Sequence, residues 1–356
     1  MKTIKMKHRI NIFTVLFFVT FLVACTNQAS HTGDFINENR QATNIAEMDF
    51  DILLEELPGN GSSGLSLGVF PGIENTLDEV CPEGCWGSFV LETPQDLLTV
   101  NIANFASEER SFMLKLFYNY EEVAFQVLGN EEFRTELLFA LDAQVEAHIH
   151  FQLENDLEID ANRNKLTVAL FPFPQYYTGF SDDDIVDEMF NMIINFEISY
   201  GFDTPNLLHL NPSMLQTQTL SAEGWSGLHI IDSLEPDNSD DVIFPNNLIQ
   251  GSPGEILDFG FIVDLSDTIS EPLESYLLLA LLDWQQVNIN DHPYIFVSID
   301  DDSESFVNYG RFSITLPEEP GLYELILISI PNPDAPNTQE NYVPLEYSQR
   351  ITIQID

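Results

Sequence analysis

Short apolar runs, separated by Pro, Gly, Asn and Asp, extend from about residue 61 to the end of the chain. Several of them alternate apolar and polar positions, as a strand with one buried face does, and others are continuous. The alternating runs are 97–102, 147–153, 312–316 and 351–355, and the continuous runs are 112–117 and 276–282. This many short strands with turn residues between them predicts an all-β fold of two-sheet sandwiches.

The pattern occurs twice along the chain. Five segments recur in the same order, at separations of 163, 159, 164, 159 and 157 residues. They are Gly61–Leu65 with Gly224–Leu228, Thr93–Leu98 with Ser252–Leu257, Ser111–Val123 with Ser275–Val287, Leu166–Pro174 with Leu325–Pro333, and Asn195–Ile198 with Thr352–Ile355. Constant order and spacing indicate a duplication. We therefore predict two tandem immunoglobulin-like β-sandwich domains, at 61–201 and 224–356, joined by a linker at 202–223.

Two local patterns refine this prediction. Pro320 and Gly321 precede Tyr323, which leads into an apolar run. This order resembles the turn and tyrosine before a late strand of immunoglobulin-like sandwiches, although the core cysteine pair of those domains is absent. In the first repeat, Ser181 and the acidic residues after it predict a helical turn at about 182–190. The repeat alignment predicts a strand at about 192–199.

The N-terminus carries a different pattern. Lys2, Lys5, Lys7 and Arg9 precede the uncharged run Ile10–Ala24. Fifteen helical residues are too short to span the roughly 30 Å hydrocarbon core of a bilayer. The run closes on Leu22–Cys25 and resembles a bacterial lipoprotein signal peptide, which implies cleavage after residue 24 and a lipid on the sulfur of Cys25. An ordinary signal peptide cut elsewhere, or an uncleaved anchor, is the alternative.

The segment after Cys25 is polar and has little periodicity. Residues 25–60 are therefore expected to form the lipidated cysteine and a mostly flexible tether, in which Phe50–Leu54 can dock locally. A diacylglycerol on Cys25 offers the two acyl chains that stable anchoring needs. The folded part is then expected on the extracellular face of the cell membrane, held by lipid.

The charge balance is strongly acidic. The chain holds 12 Lys and Arg against 58 Asp and Glu, for a formal net charge of −46. Residues 1–24 contain four of the basic residues and no acid, so a mature chain with eight basic and 58 acidic residues would carry −50. Such a surface repels nucleic acid and anionic lipid headgroups, and it suits a salty or alkaline medium.

Cys81 and Cys85 are the other cysteines of the chain. With Cys25 lipidated outside the cell, these two are expected to form a disulfide. Metal ligation and redox catalysis are the alternatives, although no thioredoxin-like βαβ pattern surrounds the pair.

The candidate motifs do not predict an enzyme. Gly64–Gly68 fits G-x-S-x-G around Ser66, but Pro71 follows at once and prevents the helix that a nucleophile elbow requires. His148 and His150 share one face of a predicted strand, a spacing that serves zinc in some proteins. No third ligand stands out nearby in sequence, so an exposed polar face is expected and no metal site is predicted.

Acidic clusters and aromatic residues remain as candidates for binding. Oxygen ligands for Ca²⁺ are possible at Asp182–Asp184, Asp240–Asp241 and Asp300–Asp302 with Glu304, though none has EF-hand spacing. No other cofactor is expected. An aromatic surface for a ligand is possible at Trp86, Trp225, Tyr176 and Tyr177. Trp284 aligns with Tyr120 after a buried run and is expected in the core.

Taken together, the signal and the β repeats resemble surface lipoproteins of Gram-positive-type bacteria with tandem immunoglobulin-like domains. The resemblance implies a non-catalytic, membrane-anchored extracellular protein that presents two sandwiches for binding or adhesion, to a protein or a glycan. The alternatives are a carbohydrate- or cell-wall-binding module and the solute-binding lipoprotein of a transporter. The transporter class would show alternating strands and helices, which this sequence lacks.

Overall fold

A computed structural model describes residues 37, 40–57, 64–72, 87–93, 95–154, 157, 164–180, 191–200, 214–215, 218–221, 227–232, 243–264, 275–298, 306–334 and 345–356. These residues form 24 β-strands, two 3₁₀ turns (Ile45–Glu47 and Thr178–Phe180) and no α-helix. The predicted all-β fold is confirmed. No helix among the described residues is long and apolar enough to cross a membrane.

The first half of the chain forms two sheets that pack face to face over a shared apolar core. Its strands are β1 (Thr43–Asn44), β2 (Ile52–Glu56), β3 (Leu65–Pro71), β4 (Ser88–Leu91), β5 (Leu98–Asn104), β6 (Arg110–Tyr118), β7 (Glu121–Glu122), β8 (Phe125–Val127), β9 (Glu136–Leu141), β10 (Val145–Leu153), β11 (Asn164–Pro172) and β12 (Met192–Tyr200). One sheet has the order β1-β9-β6-β11-β12-β4, with β7 beside β6. The other has the order β2-β10-β5-β3, with β8 beside β10.

The second half repeats this arrangement. Its strands are β13 (Met214–Leu215), β14 (Gln218–Ser221), β15 (Gly227–Ile231), β16 (Leu248–Gly251), β17 (Ile256–Asp264), β18 (Ser275–Leu282), β19 (Gln285–Val287), β20 (Ile295–Ser298), β21 (Phe306–Thr315), β22 (Gly321–Pro331), β23 (Glu346–Tyr347) and β24 (Ile351–Ile355). One sheet has the order β13-β20-β18-β22-β24-β16, with β19 beside β18 and β23 beside β22. The other has the order β14-β21-β17-β15.

The strand order is that of an immunoglobulin-like sandwich. In the second half, β18, β22 and β24 take the places of strands C, F and G, and β15, β17 and β21 those of A, B and E. The hydroxyl of Tyr323, near the start of β22, donates to the carbonyl of Glu319 at 2.8 Å. This is the tyrosine corner of such sandwiches, so the arrangement predicted around Tyr323 is confirmed.

Strand pairing fixes how the two repeats correspond. Tyr118 lies opposite Leu166, and Leu282 opposite Leu325, which agrees with the separations of 164 and 159 residues. For the last strands, Lys165 lies opposite Glu197 whereas its counterpart Glu324 lies opposite Thr352. The separation there is 155 residues, so the fifth match was wrong by two residues. A shift of two keeps every side chain on its face, and the pattern alone therefore could not detect it.

Part of the predicted tether and part of the predicted linker are folded. β1 pairs with β9 and β2 with β10, both within residues 25–60, while β13 pairs with β20 and β14 with β21, both within 202–223. We call β1–β2 the first strap and β13–β14 the second strap. Each strap adds a strand to the edge of both sheets of its sandwich, where backbone groups need partners. These four short strands thus lie in segments for which a tether and a linker were predicted, because such short strands carry little alternation.

The two sandwiches stack through their larger sheets. Met113 and Phe117 of β6 belong to one buried apolar cluster with Leu279 of β18 and Ile328 of β22. The opposite faces of the same strands contribute to the cores of their own sandwiches. Four sheets therefore form consecutive layers, and the two middle sheets are buried on both faces. This explains the continuous apolar runs, because alternation disappears when neither face meets water.

Aromatic residues at equivalent turns fasten this junction. The hydroxyl of Tyr120 donates to the carbonyl of Pro333 at 2.9 Å, and the indole Nε1 of Trp284 donates to the carbonyl of Pro174 at 3.1 Å. Both aromatic residues have φ of 70°, a left-handed conformation that bulky side chains seldom adopt. The two contacts are equivalent under the repeat, as in an isologous dimer interface.

The polar border of the junction is also reciprocal. The N–H of Glu122 donates to Oε1 of Gln286 at 2.8 Å, and the N–H of Gln286 donates to Oε2 of Glu122 at 3.2 Å. Lys115, which is fully buried, places its Nζ 2.7 Å from Glu122 and 3.6 Å from Glu136. The two halves therefore share one packed boundary with matched polar edges.

Candidate functional site

Several predicted site residues lie outside the described residues. These are Cys25, Cys81, Cys85, Trp86 and Trp225, together with the acidic clusters Asp182–Asp184, Asp240–Asp241 and Asp300–Asp302 with Glu304. Lipid attachment, the disulfide, calcium binding and the role of the two tryptophans stay predictions.

The tyrosine pair does not form an exposed aromatic surface. Tyr177 is 7% exposed, and its hydroxyl accepts a hydrogen bond from Nδ2 of Asn37 at 2.9 Å. Burial raises the pKa of Tyr177 to about 12, and the Asp283 carboxylate adds to this rise. Tyr176 is half-buried and packs edge-to-face on Phe173 at 6.1 Å. The burial of Tyr177 leaves its ring little surface to offer a ligand. Trp284 is 1% exposed, as expected for a core residue.

Two buried charged side chains, Glu324 and Arg350, lie at the junction between the sandwiches. Glu324 accepts hydrogen bonds from the Thr178 N–H at 2.8 Å and from the Thr352 hydroxyl, and burial raises its pKa to about 7. Arg350 donates to Asn191 Oδ1 at 2.8 Å and stacks 4.7 Å from the Trp284 ring, and burial lowers its pKa to about 10. Shifted pKa values often mark active sites, but Glu324 and Arg350 bond across the junction to Thr178 and Asn191 of the first sandwich.

The serine of the G-x-S-x-G motif lies within a strand. Ser66 pairs with Ala103 in the middle of the β3–β5 ladder. A nucleophile elbow needs a sharp turn from strand to helix at the serine. The motif therefore does not form an elbow here.

The outer face of the β2-β10-β5-β3 sheet brings His148 together with acids. Nε2 of His148 lies 3.9 Å from Oε1 of Glu146, and a carboxylate oxygen of Glu55 lies within 4.8 Å of both ligand groups. His150 differs from the expected exposed residue because it is buried, with Nδ1 2.8 Å from the Thr99 hydroxyl. Burial lowers the pKa of His150, and nearby His148 lowers it further. Glu55 was not predicted as a member of this cluster, because it lies on β2 of the first strap, far from His148 in sequence.

The two sandwiches differ at one sheet edge. In the first sandwich β3 pairs with the whole of β5, ending with Pro71 opposite Leu98. In the second, β15 pairs with β17 only as far as Ile231 opposite Gly260. The segment Ile256–Phe259 therefore has no partner strand on this side among the described residues.

Backbone groups point out of this edge of β17. In the first sandwich the N–H of Gly72 donates to the carbonyl of Leu97 at 2.8 Å, across the β3–β5 edge. Leu97 corresponds to Ile256 by the separation of 159 residues. Alternate residues of a strand present their backbone groups to the same side, so Ile256 and Asp258 both face the open edge. Among the described residues, no strand pairs with these groups.

A cavity of about 320 Å³ lies beside this edge, between β17 and the segment that leads into β16. Apolar side chains line much of it, and Asp232 and Asp258 add carboxylates. The apolar lining is Pro245, Leu248, Ile249, Leu257 and Phe259. Ile256 is 63% exposed and Ile243 53% exposed next to it. We call this cavity with the open β17 segment the edge groove.

The edge groove offers a backbone template beside an apolar recess. Its volume lies at the lower end of the roughly 300–1,000 Å³ typical of ligand sites, which suits one or two side chains rather than a large organic ligand. The combination is that of β-strand addition, in which main-chain hydrogen bonds bind an extended peptide and pockets select alternate side chains.

No protein-family model matches this chain, and no curated protein does either. Solved structures that resemble it include a chaperone named DraB from E. coli (8% identity, 82% of this chain and 97% of that chain, TM-score 0.24). Others are the YadV chaperone (10%, 80% and 99%, 0.22) and a red sea bream transglutaminase (10%, 82% and 31%, 0.21). The chain thus spans about a third of the transglutaminase. Because these TM-scores are low, the fold assignment rests on strand order and pairing.

Proposed function

We propose that this protein is a non-catalytic, lipid-anchored binding protein of the extracellular face of the cell membrane, and that it binds an extended peptide segment of a protein partner in the edge groove. The observation that carries the binding proposal is the edge of Ile256–Phe259, which lies beside an apolar cavity and has no partner strand there in the part of the chain that the structure describes. A sheet edge of this kind is ordinarily covered, because unpaired backbone groups attract other strands.

The chemistry of the groove favours a particular peptide. Apolar side chains at alternate positions would enter the recess formed by Leu257 and Phe259. Asp232 and Asp258 border it, and the chain as a whole carries a net charge of −46. A Lys- or Arg-containing peptide is attracted by this field, whereas an acidic one is repelled.

The test uses a random-peptide phage library against the full chain. We expect enrichment of segments that alternate apolar residues and contain Lys or Arg. Asp258→Pro removes a backbone N–H of the open edge and should weaken binding of enriched peptides about fivefold, since a buried hydrogen bond is worth about 1 kcal/mol.

Asp258→Asn is the matched control, because it removes the charge but keeps the N–H, and it should weaken binding much less. Ile256→Arg, at an exposed position, supplies a second variant that should repel a cationic peptide. Unchanged melting temperatures show that the variants fold. Enriched peptides that bind Asp258→Pro and Ile256→Arg as tightly as the parent chain would contradict strand addition.

Lipid anchoring is tested separately. The parent chain, expressed in a Gram-positive host, is expected in the membrane fraction with a lipid label on Cys25. Cys25→Ser should release the processed protein, and Cys81→Ser should not. Membrane retention of Cys25→Ser after processing would refute the anchor without affecting the groove.

A further inference from the structure

Glu55, Glu146 and His148 converge on the outer face of the first sandwich. Glu55 of β2 lies directly opposite Glu146 of β10, and His148 is two residues further along β10 on the same face. Their ligand atoms all lie within 4.8 Å of one another. The three side chains come from two chain segments about 90 residues apart.

This arrangement places the carboxylates of Glu55 and Glu146, which carry like charges, within 4.8 Å of each other. Opposed carboxylates on neighbouring strands destabilise a sheet unless a cation lies between them. Within the part of the chain that the structure describes, no Lys or Arg forms an ion pair with Glu55 or Glu146, and the imidazole of His148 is the basic group beside them. A cation bound between Glu55 and Glu146 would remove the repulsion between the two carboxylates.

The neighbouring polar atoms are arranged for a ligand. Nε2 of His148 is buried and has no hydrogen-bond partner. The side-chain amide of Asn101, opposite His148 on β5, donates to Oε1 of Glu146, while the Oδ1 of Asn101 is itself buried and unpartnered. Hydrogen bonds of this kind to a ligand carboxylate commonly orient it toward a metal.

The second sandwich serves as an internal comparison. Strand pairing equates Glu55, Glu146 and His148 with Gln218, Tyr309 and Arg311. There the Nε of Arg311 donates to the hydroxyl of Tyr309 at 3.0 Å. The second repeat thus has a permanent cation and no acid at this place, whereas the first has two acids and an imidazole.

We propose that Glu55, Glu146 and His148 bind a divalent metal ion of the zinc class. An imidazole nitrogen together with carboxylate oxygens suits zinc and its neighbours better than calcium or magnesium, which prefer oxygen ligands alone. Three protein ligands leave a coordination position for water or for a group of a partner.

The site would connect the first strap to its sandwich. Glu55 belongs to β2, an edge strand whose Leu53 and Leu54 are exposed. A metal ion bound by both strands would cross-link β2 and β10, which are otherwise joined mainly by backbone hydrogen bonds. Metal binding would therefore reinforce the later part of the first strap, whose earlier part is already held by the pairing of β1 with β9.

The test is calorimetric titration of metal-free full-length protein with Zn²⁺, in about 0.15 M salt to screen the surface charge. We expect one tight site per chain. Glu55→Gln and His148→Gln should each weaken it at least about tenfold, because loss of even an outer-shell partner costs that much. Glu47→Gln and His292→Gln make the same chemical changes at exposed positions away from the cluster and should retain the site.

A second measurement protects the result against misfolded variants. Co²⁺ in place of Zn²⁺ should give a visible absorption band that depends on His148, at unchanged circular dichroism. Equal affinity of the cluster variants and the control variants would overturn the proposal, because the metal would then bind the acidic surface as a whole. Tighter binding of Ca²⁺ than of Zn²⁺ would also overturn it.

Discussion

The first sandwich covers β5 to its end with β3, whereas in the second no described strand pairs with Ile256–Phe259 of β17 on the side of the cavity. On the outer faces of the same sheets, the first sandwich gathers Glu55 and His148 and the second places Arg311. The cores between the sheets keep the same strand order. The duplicated halves have therefore diverged at edges and outer faces, where a change costs little packing, and these are the places that we propose for binding.

The largest expected effect comes from the feature that the halves share. Trp284→Ala should lower the free energy of unfolding by about 3–5 kcal/mol, because it empties a fully buried site and removes the hydrogen bond to Pro174. Tyr120→Ala at the equivalent turn should cost a similar amount. Urea unfolding measures both. A loss below about 1 kcal/mol for either would mean that the junction does not hold the sandwiches together.

The halves also differ in the charge that they bury at one position, Lys165 in the first and Glu324 in the second. Because burial raises the pKa of Glu324 to about 7, the folded state binds a proton more readily than the unfolded state does. Its contribution to stability is complete below about pH 4.5 and is lost as the pH rises through 7, by roughly 3 kcal/mol.

Glu324→Gln should flatten this part of the pH dependence, while the exposed Glu47→Gln should not change it. Urea midpoints measured between pH 4.5 and 8 test the difference between variant and parent. A parallel pair of curves would contradict a raised pKa at Glu324.

A smaller effect concerns a compensating pair of residues on neighbouring strands of the smaller sheet in each sandwich. Ile102 faces Ala147 in the first sandwich, and the equivalent Phe261 faces Gly310 in the second. A Cβ at Gly310 would overlap the Phe261 ring, so Gly310→Ala should destabilise by about 1–3 kcal/mol. Adding Phe261→Ile recreates the pair of the first sandwich and should cost less than the sum of the single changes. Strict additivity in the double-mutant cycle would refute this compensation.

The smallest expected effect concerns the tyrosine corner, which only the second repeat has, since Asn164 stands at the equivalent place in the first. Tyr323→Phe removes the hydrogen bond to Glu319 and should lower stability by about 0.5–1.5 kcal/mol. Thermal unfolding should show a correspondingly small decrease in melting temperature. No decrease at all would mean that the corner contributes to strand order but not to stability.

Local pattern predicted the β-strands, the duplication and the place of Tyr323. Side chains such as Leu98 and Ile102 alternate because one face of their sheet meets the core. Pattern did not predict the straps, because β1 and β13 have two residues each and their partners β9 and β20 are distant in sequence. The candidate sites were missed for the same reason, since Glu55 and Asp232 reach them through folding alone.

The sequence by itself determined the strand pattern, the repeat and the acidic charge, because these depend on neighbouring positions along the chain. Only the tertiary structure decided that the larger sheets stack, that Trp284 crosses the junction, and that β15 stops short of Ile256. Those features depend on contacts between residues far apart in sequence, and one apolar run can satisfy a single sandwich core or a shared junction equally well. The continuous apolar runs of β6 and β18 were the sequence pattern that corresponds to this stacking, because burial on both faces removes alternation.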